Sequence, residues 1–209
     1  MAQPPANPRH PPRFAIVAIV CAALLVVAAG VLLALAVRET PRGAAGTALA
    51  SAIGGPFRLI DQNGKAVSDA DLKGKWQLVF FGYTHCPDAC PTALNEIALA
   101  LEQLGEKRGE IEIVFITVDP DRDTPEVMKS YVQSFDASII ALTGSPDAVA
   151  QAAKAYRVYY AKHPRGDGDY DMDHSAVIYV MNPEGRFTAT FTPDSTADAI
   201  AQRLQKLIS

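Results

Sequence analysis

The longest uncharged run in the sequence constrains the fold more than any other feature. The 24 residues 14–37 contain no Asp, Glu, Lys or Arg. A helix of this length extends roughly 36 Å at ~1.5 Å per residue, enough to cross a hydrocarbon core of ~30 Å. The run therefore predicts an N-terminal transmembrane helix. A cleaved signal peptide is the alternative, because Ala34-Leu35-Ala36 resembles an A-x-A cleavage site, although the run exceeds the ~7–15 apolar residues usual there.

Charges that flank this run predict its orientation. Arg9 and Arg13 precede it without an acidic residue, whereas Glu39 accompanies the arginines that follow it. Because positive charge favours the cytoplasmic side, the N-terminus is expected inside. We therefore predict four parts: a cytoplasmic tail at 1–13, a transmembrane anchor at 14–37, a linker at 38–53 and a globular domain at 54–209. This arrangement predicts a single-pass protein of the inner (cytoplasmic) membrane, with its C-terminal domain in the periplasm.

The charge of the globular domain excludes some partners. Residues 54–209 carry 15 Lys and Arg against 22 Asp and Glu. This negative net charge argues against nucleic acid or anionic lipid as a partner of the domain. The linker before it is rich in Gly, Ala and Thr, which is typical of a flexible connection.

Hydrophobic periodicity in the domain predicts an alternation of strands and helices. Short apolar runs predict strands, and apolar residues at helical spacing predict helices. The predicted strands lie at 76–81, 111–118, 158–162, 175–181 and 187–191. The predicted helices follow Pro91, start at Thr124-Pro125, start at Ser145-Pro146 and start at Ser195. This order of elements predicts a thioredoxin-like α/β domain.

Two cysteines four residues apart carry the chemistry of the domain. Cys86 and Cys90 follow the strand at 76–81, and each precedes a proline. Since a residue before proline is disfavoured in the α region, Cys86 is expected in the loop and Cys90 at the cap of the helix that Pro91 begins. A thiolate at a helix N-terminus has a lowered pKa. Two thiolates and an imidazole from His174 would suit copper or zinc, whereas the same two thiols could instead form a redox disulfide.

Spacing makes the disulfide the more demanding of these two states. A CxxxC pair in a regular helix holds its Cβ atoms ~5–6 Å apart, whereas a disulfide needs ~3.8 Å. The loop must therefore deform to oxidise, while a metal ion could bridge the wider gap.

Three histidines compete for the place of third ligand. His174 is expected at the start of a strand of the central sheet, whose end could face the cysteine loop. His85 adjoins Cys86 and would have to fold back, and His163 lies before a loop rich in Gly and Asp. The alternating acids at 167–173 do not fit a calcium loop, because the sixth and twelfth positions lack its glycine and glutamate. They are expected to form an exposed hairpin.

Asp119 is a further candidate near this site. It follows the strand at 111–118, at the sheet edge where the cysteines are expected. It could orient the site, hydrogen-bond a neighbour or cap a loop.

Three motifs in order resemble the Sco/SenC family of membrane-anchored copper-binding proteins. They are the run 81–91, the run 118–125, and Asp169-Tyr170 followed by Asp173-His174-Ser175. The resemblance covers residues 54–209 and includes the anchor. It implies a thioredoxin fold, copper ligands at Cys86, Cys90 and His174, and a role in assembling the dinuclear copper centre of cytochrome c oxidase.

The leading hypothesis is a chaperone that carries Cu(I) and Cu(II) and is not an enzyme. Its predicted partner is the copper-accepting subunit of the oxidase, with other copper chaperones or thioredoxin-like reductants as further candidates. A thiol-disulfide reductase that keeps the acceptor's cysteines reduced is the alternative, because a thiolate at a helix cap is nucleophilic. A peroxidase is a third hypothesis, for which Thr84 fits loosely but His174 has no role.

Overall fold

The structure, a computed structural model, describes residues 24–31, 53–136, 138–166 and 168–208. The chain divides into two compact units, Met1–Ala45 and Gly46–Ser209. In the first unit, residues 24–31 are helical. Among the described residues, no helix has both the length and the apolar character needed to cross a membrane. Most of the predicted anchor at 14–37, the tail at 1–13 and nearly all of the linker at 38–53 lie outside the described residues.

A mixed central sheet organises the second unit, as predicted. The described strands are β1 (Arg58–Asp61), β2 (Ala66–Ser68), β3 (Trp76–Gly82), β4 (Ile111–Thr117), β5 (Ile140–Thr143), β6 (Tyr160–Pro164), β7 (Tyr170–His174), β8 (Ile178–Met181) and β9 (Phe187–Phe191). Within the described residues the central sheet has seven strands in the order β2-β1-β5-β4-β3-β8-β9, and a separate two-stranded sheet pairs β6 with β7. Strands β3, β4 and β5 are parallel, and β8 joins β3 antiparallel.

Helices cover both faces of this sheet. The described α-helices are α1 (Ala89–Glu102), α2 (Pro125–Val132), α3 (Pro146–Ala155) and α4 (Ala197–Leu207), and a 3-10 helix spans Gly105–Glu110. Because β3 is buried on both faces, its alternate side chains enter two cores. Leu78 and Phe80 pack in the core that contains α1, α2 and α4, whereas Val79 and Phe81 pack in the core that contains α3.

Side-chain caps explain where three helices begin. The hydroxyl groups of Thr124, Ser145 and Thr196 each accept a hydrogen bond from a backbone N–H in the first turn of α2, α3 and α4. Such a cap satisfies an N–H group that has no partner inside the helix. The predicted starts of α2 and α3 are confirmed. The cap of α4 is Thr196, one residue after the predicted Ser195.

The strand predictions at 158–162 and 175–181 were wrong in one respect. β6 and β7 pair only with each other among the described strands, so they form a hairpin beside the central sheet. His174 is therefore the last residue of β7 in the hairpin and not the first residue of a central strand. The central strand β8 starts later, at Ile178. The alternating acids do lie in an exposed hairpin, although Asp167 itself falls outside the described residues.

Candidate metal centre

The cysteine loop leaves the carboxyl end of β3, where the parallel strands of the sheet end together. Cys86 lies in this loop and is partly exposed, and Cys90 is fully buried. The expected position of Cys90 was wrong, because α1 already begins at Ala89, with Asp88 as its N-cap residue. Pro91 does not prevent this, since proline is tolerated in the first turn of a helix. Cys90 therefore points from the first turn of α1 into the core.

Gly82 makes room for Cys90. A Cβ atom at Gly82 would lie 2.6 Å from Cys90 Sγ and 2.8 Å from Cε2 of Phe115. Both distances are shorter than real Cβ contacts, and both neighbours are fully buried. The last residue of β3 must therefore lack a side chain for the thiol to occupy its position.

His174 reaches the two cysteines from the hairpin. Its Nε2 atom lies 3.5 Å from Cys90 Sγ. One ligand atom from each of Cys86, Cys90 and His174 lies within 4.8 Å of the other two. The ring of His174 contacts Phe80 and Tyr83 edge-on, with centroid distances of 6.3 and 5.7 Å. These two aromatic side chains hold the imidazole in place. Their positions at and directly after the end of β3 are the one signal of this contribution that the sequence contains.

The two alternative histidines are not part of this group. His163 Nε2 lies 2.9 Å from a carboxylate oxygen of Asp173, on the exposed side of the hairpin. His85 is about half exposed, and its Nδ1 atom lies 3.1 Å from the hydroxyl oxygen of Thr84. Of the histidines considered, only His174 joins both cysteines among the described residues.

The pKa values of the two thiols are shifted in opposite directions. Hydrogen bonds from the Cys90 side chain first, and then from His174 and from the backbone N–H groups of Cys90 and Asp88, lower the pKa of Cys86 to about 4. The same thiol–thiol hydrogen bond, together with burial and the nearby Cys86 charge, raises the pKa of Cys90. The prediction that the helix N-terminus lowers the pKa of Cys90 is wrong. The first turn of α1 helps to lower the pKa of Cys86 instead, because the N–H of Cys90 donates to Cys86 Sγ at 3.4 Å.

Asp123 supports the cysteine loop through hydrogen bonds, a role that was missed in the sequence. This fully buried carboxylate accepts hydrogen bonds from the hydroxyl groups of Thr84 and Thr117, both at 2.6 Å, and from the N–H of Thr84 at 3.1 Å. Burial raises its pKa, because the charged form is desolvated. The available signal was an acid directly before the helix start Thr124-Pro125, which resembles an ordinary capping residue.

Asp119 lies outside the three-residue group and contacts the hairpin. It is 2% exposed and accepts a hydrogen bond from the hydroxyl of Tyr170 at 2.7 Å. It also forms an ion pair with Arg122, whose Nε lies 2.5 Å away. Asp119 thus connects the loop after β4 to the hairpin that carries His174.

The donor set determines what the group can bind. Cys86 and Cys90 are free thiols in this structure. Two sulfur atoms and one imidazole nitrogen at this spacing suit a soft or borderline ion, and three protein ligands leave a coordination position open. The fold and this cluster define a class: thioredoxin-like α/β domains able to hold a soft metal ion.

The comparisons with known proteins identify the family. Residues 45–209 match the family model described as SCO1/SenC. The chain therefore belongs to the SCO1/SenC family, which confirms the resemblance seen in its motifs. It is 43% identical over 175 residues to the mitochondrial SCO1 homolog 1 of Arabidopsis thaliana, covering 83% of this chain and 51% of that protein. The chain thus spans about half the length of that relative.

Solved structures agree with this assignment. ScoI of Bradyrhizobium japonicum with copper bound is 52% identical, with a TM-score of 0.70, over 74% of this chain and 99% of that one. BsSco is 25% identical, with a TM-score of 0.58, over 75% of this chain and 93% of that one. BsSco is a member of the Sco family of cytochrome c oxidase assembly proteins, and a disulfide switch was identified in BsSco itself.

Proposed function

We propose that this protein is a membrane-anchored copper chaperone that binds copper through Cys86, Cys90 and His174. The observation that carries the proposal is the convergence of these side chains from a loop, a helix and a separate hairpin, within 4.8 Å of one another. The copper bound to the B. japonicum relative supports the choice of metal.

The donor set suits cargo in two oxidation states. Cu(I) favours the two soft thiolates, whereas Cu(II) gains from the imidazole nitrogen and from further ligands. A site with only three protein ligands can release its ion to an acceptor that offers more. The chain's own contribution is to bring both thiols, from the loop and helix after β3, together with the imidazole from the separate hairpin.

The proposed acceptor is the dinuclear copper centre of cytochrome c oxidase, in its copper-accepting subunit. The description of BsSco as one of a family of oxidase assembly proteins supports this. Other copper chaperones and thioredoxin-like reductants are the further proposed partners, since copper must be supplied and the thiols must be reduced.

The anaerobically purified full chain should bind one Cu(I) ion after desalting. Copper must displace the proton of Cys90, whose pKa is raised, so binding should strengthen as the pH rises. Metal analysis with thiol counting provides the measurement. Cys21→Ser is the matched control and should still bind one ion, whereas Cys90→Ser should not. A wild-type chain that retains no copper after desalting would refute the proposal that the protein is a copper chaperone.

A thiol-disulfide reductase is the second candidate. Cys86 is partly exposed with a pKa lowered to about 4, and Cys90 is buried next to it with a raised pKa. In this reaction the Cys86 thiolate attacks a disulfide of the acceptor and releases one acceptor thiolate, which takes up a proton. Cys90 then loses its proton and displaces the second acceptor thiolate, so that the acceptor is reduced and a Cys86–Cys90 disulfide forms. The disulfide switch identified in BsSco favours keeping this candidate.

The proposed topology has a cytoplasmic tail at 1–13, an anchor at 14–37, a linker at 38–53 and the domain at 54–209 in the periplasm. The uncharged run at 14–37 and the arginines before it support this inner-membrane arrangement. A reporter that is active only outside the cytoplasm should therefore function when fused after Ser209. N-terminal sequencing of the membrane-bound chain should find residues 1–13. Activity confined to a cytoplasmic reporter would contradict the topology, and a mature N-terminus near Val37 would show cleavage.

A further inference from the structure

The candidate metal centre is assembled from two separate pieces. Cys86 belongs to the loop between β3 and α1 and Cys90 to the first turn of α1, whereas His174 belongs to the hairpin of β6 and β7. Among the described strands this hairpin shares no backbone ladder with the central sheet. Apart from its short connections to α3 and β8, the hairpin is therefore positioned by side-chain contacts, and these contacts influence where His174 lies relative to the two thiols.

One face of β7 makes these contacts. Residues at alternate positions of a strand point to the same side, and Tyr170, Met172 and His174 occupy such positions. Met172 is buried at 7% exposure, and its two neighbours on this face are partly buried. Asp171 and Asp173, which alternate with them, are exposed. The hairpin thus docks through Tyr170 at one end of β7 and His174 at the other.

Tyr170 is held by a set of polar contacts that we call the latch, formed by Asp119, Arg122 and Tyr170. The hydroxyl of Tyr170 donates to Asp119 at 2.7 Å, and its backbone carbonyl accepts from Arg122 Nη1 at 3.1 Å. The guanidinium carbon of Arg122 lies 3.8 Å from the centre of the Tyr170 ring. The ion pair with Asp119 fixes Arg122 in turn. The hydroxyl and the carbonyl of Tyr170 are thereby both bound to side chains of the loop after β4.

We propose that Tyr170 and Arg122 are positioning residues that set where the imidazole of His174 lies relative to the two thiols. The inference rests on the proposed copper site and adds a selectivity to it. Cu(II) depends on the nitrogen ligand more than Cu(I) does, because Cu(I) is satisfied by soft thiolates. Loosening the latch therefore weakens the holding of Cu(II) and largely spares Cu(I).

Tyr170→Phe tests the latch, because it keeps the ring and removes the hydroxyl that donates a hydrogen bond to Asp119. Supporting contacts of this kind typically contribute about 10- to 100-fold to metal affinity. We expect the full chain with Tyr170→Phe to bind Cu(II) roughly 10-fold more weakly, with Cu(I) affinity nearly unchanged. Competition titrations and the nitrogen hyperfine signal of Cu(II) provide the readouts. Tyr159→Phe is the matched control, since Tyr159 is 63% exposed beside the same hairpin and should give wild-type values.

A double-mutant cycle with His174→Ala separates positioning from general loosening. If the latch acts through the imidazole, Tyr170→Phe should have no further effect on copper affinity in the His174→Ala chain. An equal loss in both backgrounds, or an equal loss for Cu(I) and Cu(II), would overturn the proposal.

Hydrogen exchange of the metal-free chain tests the latch without copper. Tyr170→Phe should speed exchange at the amides of β6 and β7 about 10-fold, while β3 and β4 keep their wild-type protection. Unchanged exchange in the hairpin would refute the latch. If no chain bound copper but hairpin exchange rose, the proposed function would fail and the latch itself would stand.

Discussion

A His174→Ala chain should fail to load copper into cytochrome c oxidase as completely as a Cys86→Ser chain. The substitution removes the only nitrogen ligand of the candidate centre while leaving both thiols and the first turn of α1 in place. A two-thiolate site retains Cu(I) but holds Cu(II) poorly. We expect copper in the purified oxidase to fall at least ~10-fold in cells whose only copy is His174→Ala.

The same pair of variants discriminates between copper delivery and thiol reduction. Exchange with a disulfide depends on the thiolate of Cys86 and on its accessibility, and His174 is only one of several groups that lower the pKa of Cys86. A reductase should therefore keep most of its activity in His174→Ala and lose it in Cys86→Ser. His163→Ala is the control, because His163 pairs with Asp173 on the exposed side of the hairpin. Normal copper loading of the oxidase by the His174→Ala chain would exclude copper delivery as the function and favour thiol reduction.

The second large effect is expected from Gly82→Ala. The added methyl would lie 2.6 Å from Cys90 Sγ and 2.8 Å from Cε2 of Phe115, and both of these side chains are fully buried. Overpacking of this kind costs about 1–3 kcal/mol, and here the strain falls on a proposed metal ligand. The variant should unfold several degrees below wild type and lose most of its copper affinity.

Gly109→Ala provides the comparison for this variant. A Cβ atom at Gly109 meets nothing within 4 Å, and its φ is not positive. It should therefore keep the wild-type melting temperature and copper affinity. If Gly82→Ala matched Gly109→Ala in both measurements, Cys90 would not be lodged against the end of β3.

Local signals in the sequence predicted the parts of the fold that local physics decides. The apolar run before Gly82 gave β3, and Thr124-Pro125 and Ser145-Pro146 gave the starts of two helices, because a capping hydroxyl followed by proline specifies a helix start. The strands β1, β2 and β5 were missed, since each has only three or four residues. Their pairing depends on partners far along the chain.

The errors at the candidate site arise from tertiary contacts. Periodicity predicted strands near His174 but could not distinguish a separate hairpin from a strand of the central sheet, because strand pairing is decided by partners distant in the sequence. The proline rule placed Cys90 at the cap of a helix beginning at Pro91, although the first turn of a helix tolerates both residues. Asp123 was missed because its burial and its hydrogen bonds with Thr84 and Thr117 depend on the tertiary fold. The motifs at 81–91 and 173–175 identified Cys86, Cys90 and His174 as candidate ligands, and in the structure their ligand atoms lie within 4.8 Å of one another.

The unequal exposure of the two thiols gives ligand exchange a direction. Cys90 lies under Gly82 and against Phe115 with none of its surface exposed, whereas Cys86 is partly open to solvent. His174 is half-buried as well, so an incoming donor would approach an ion held by these atoms from the side of Cys86 and His174. If the protein passes copper to an acceptor, as proposed, the first ligand of the acceptor would bind while Cys90 still holds the ion. The exchange would then be associative, and Cys90 would be the last of the three ligands to leave the ion.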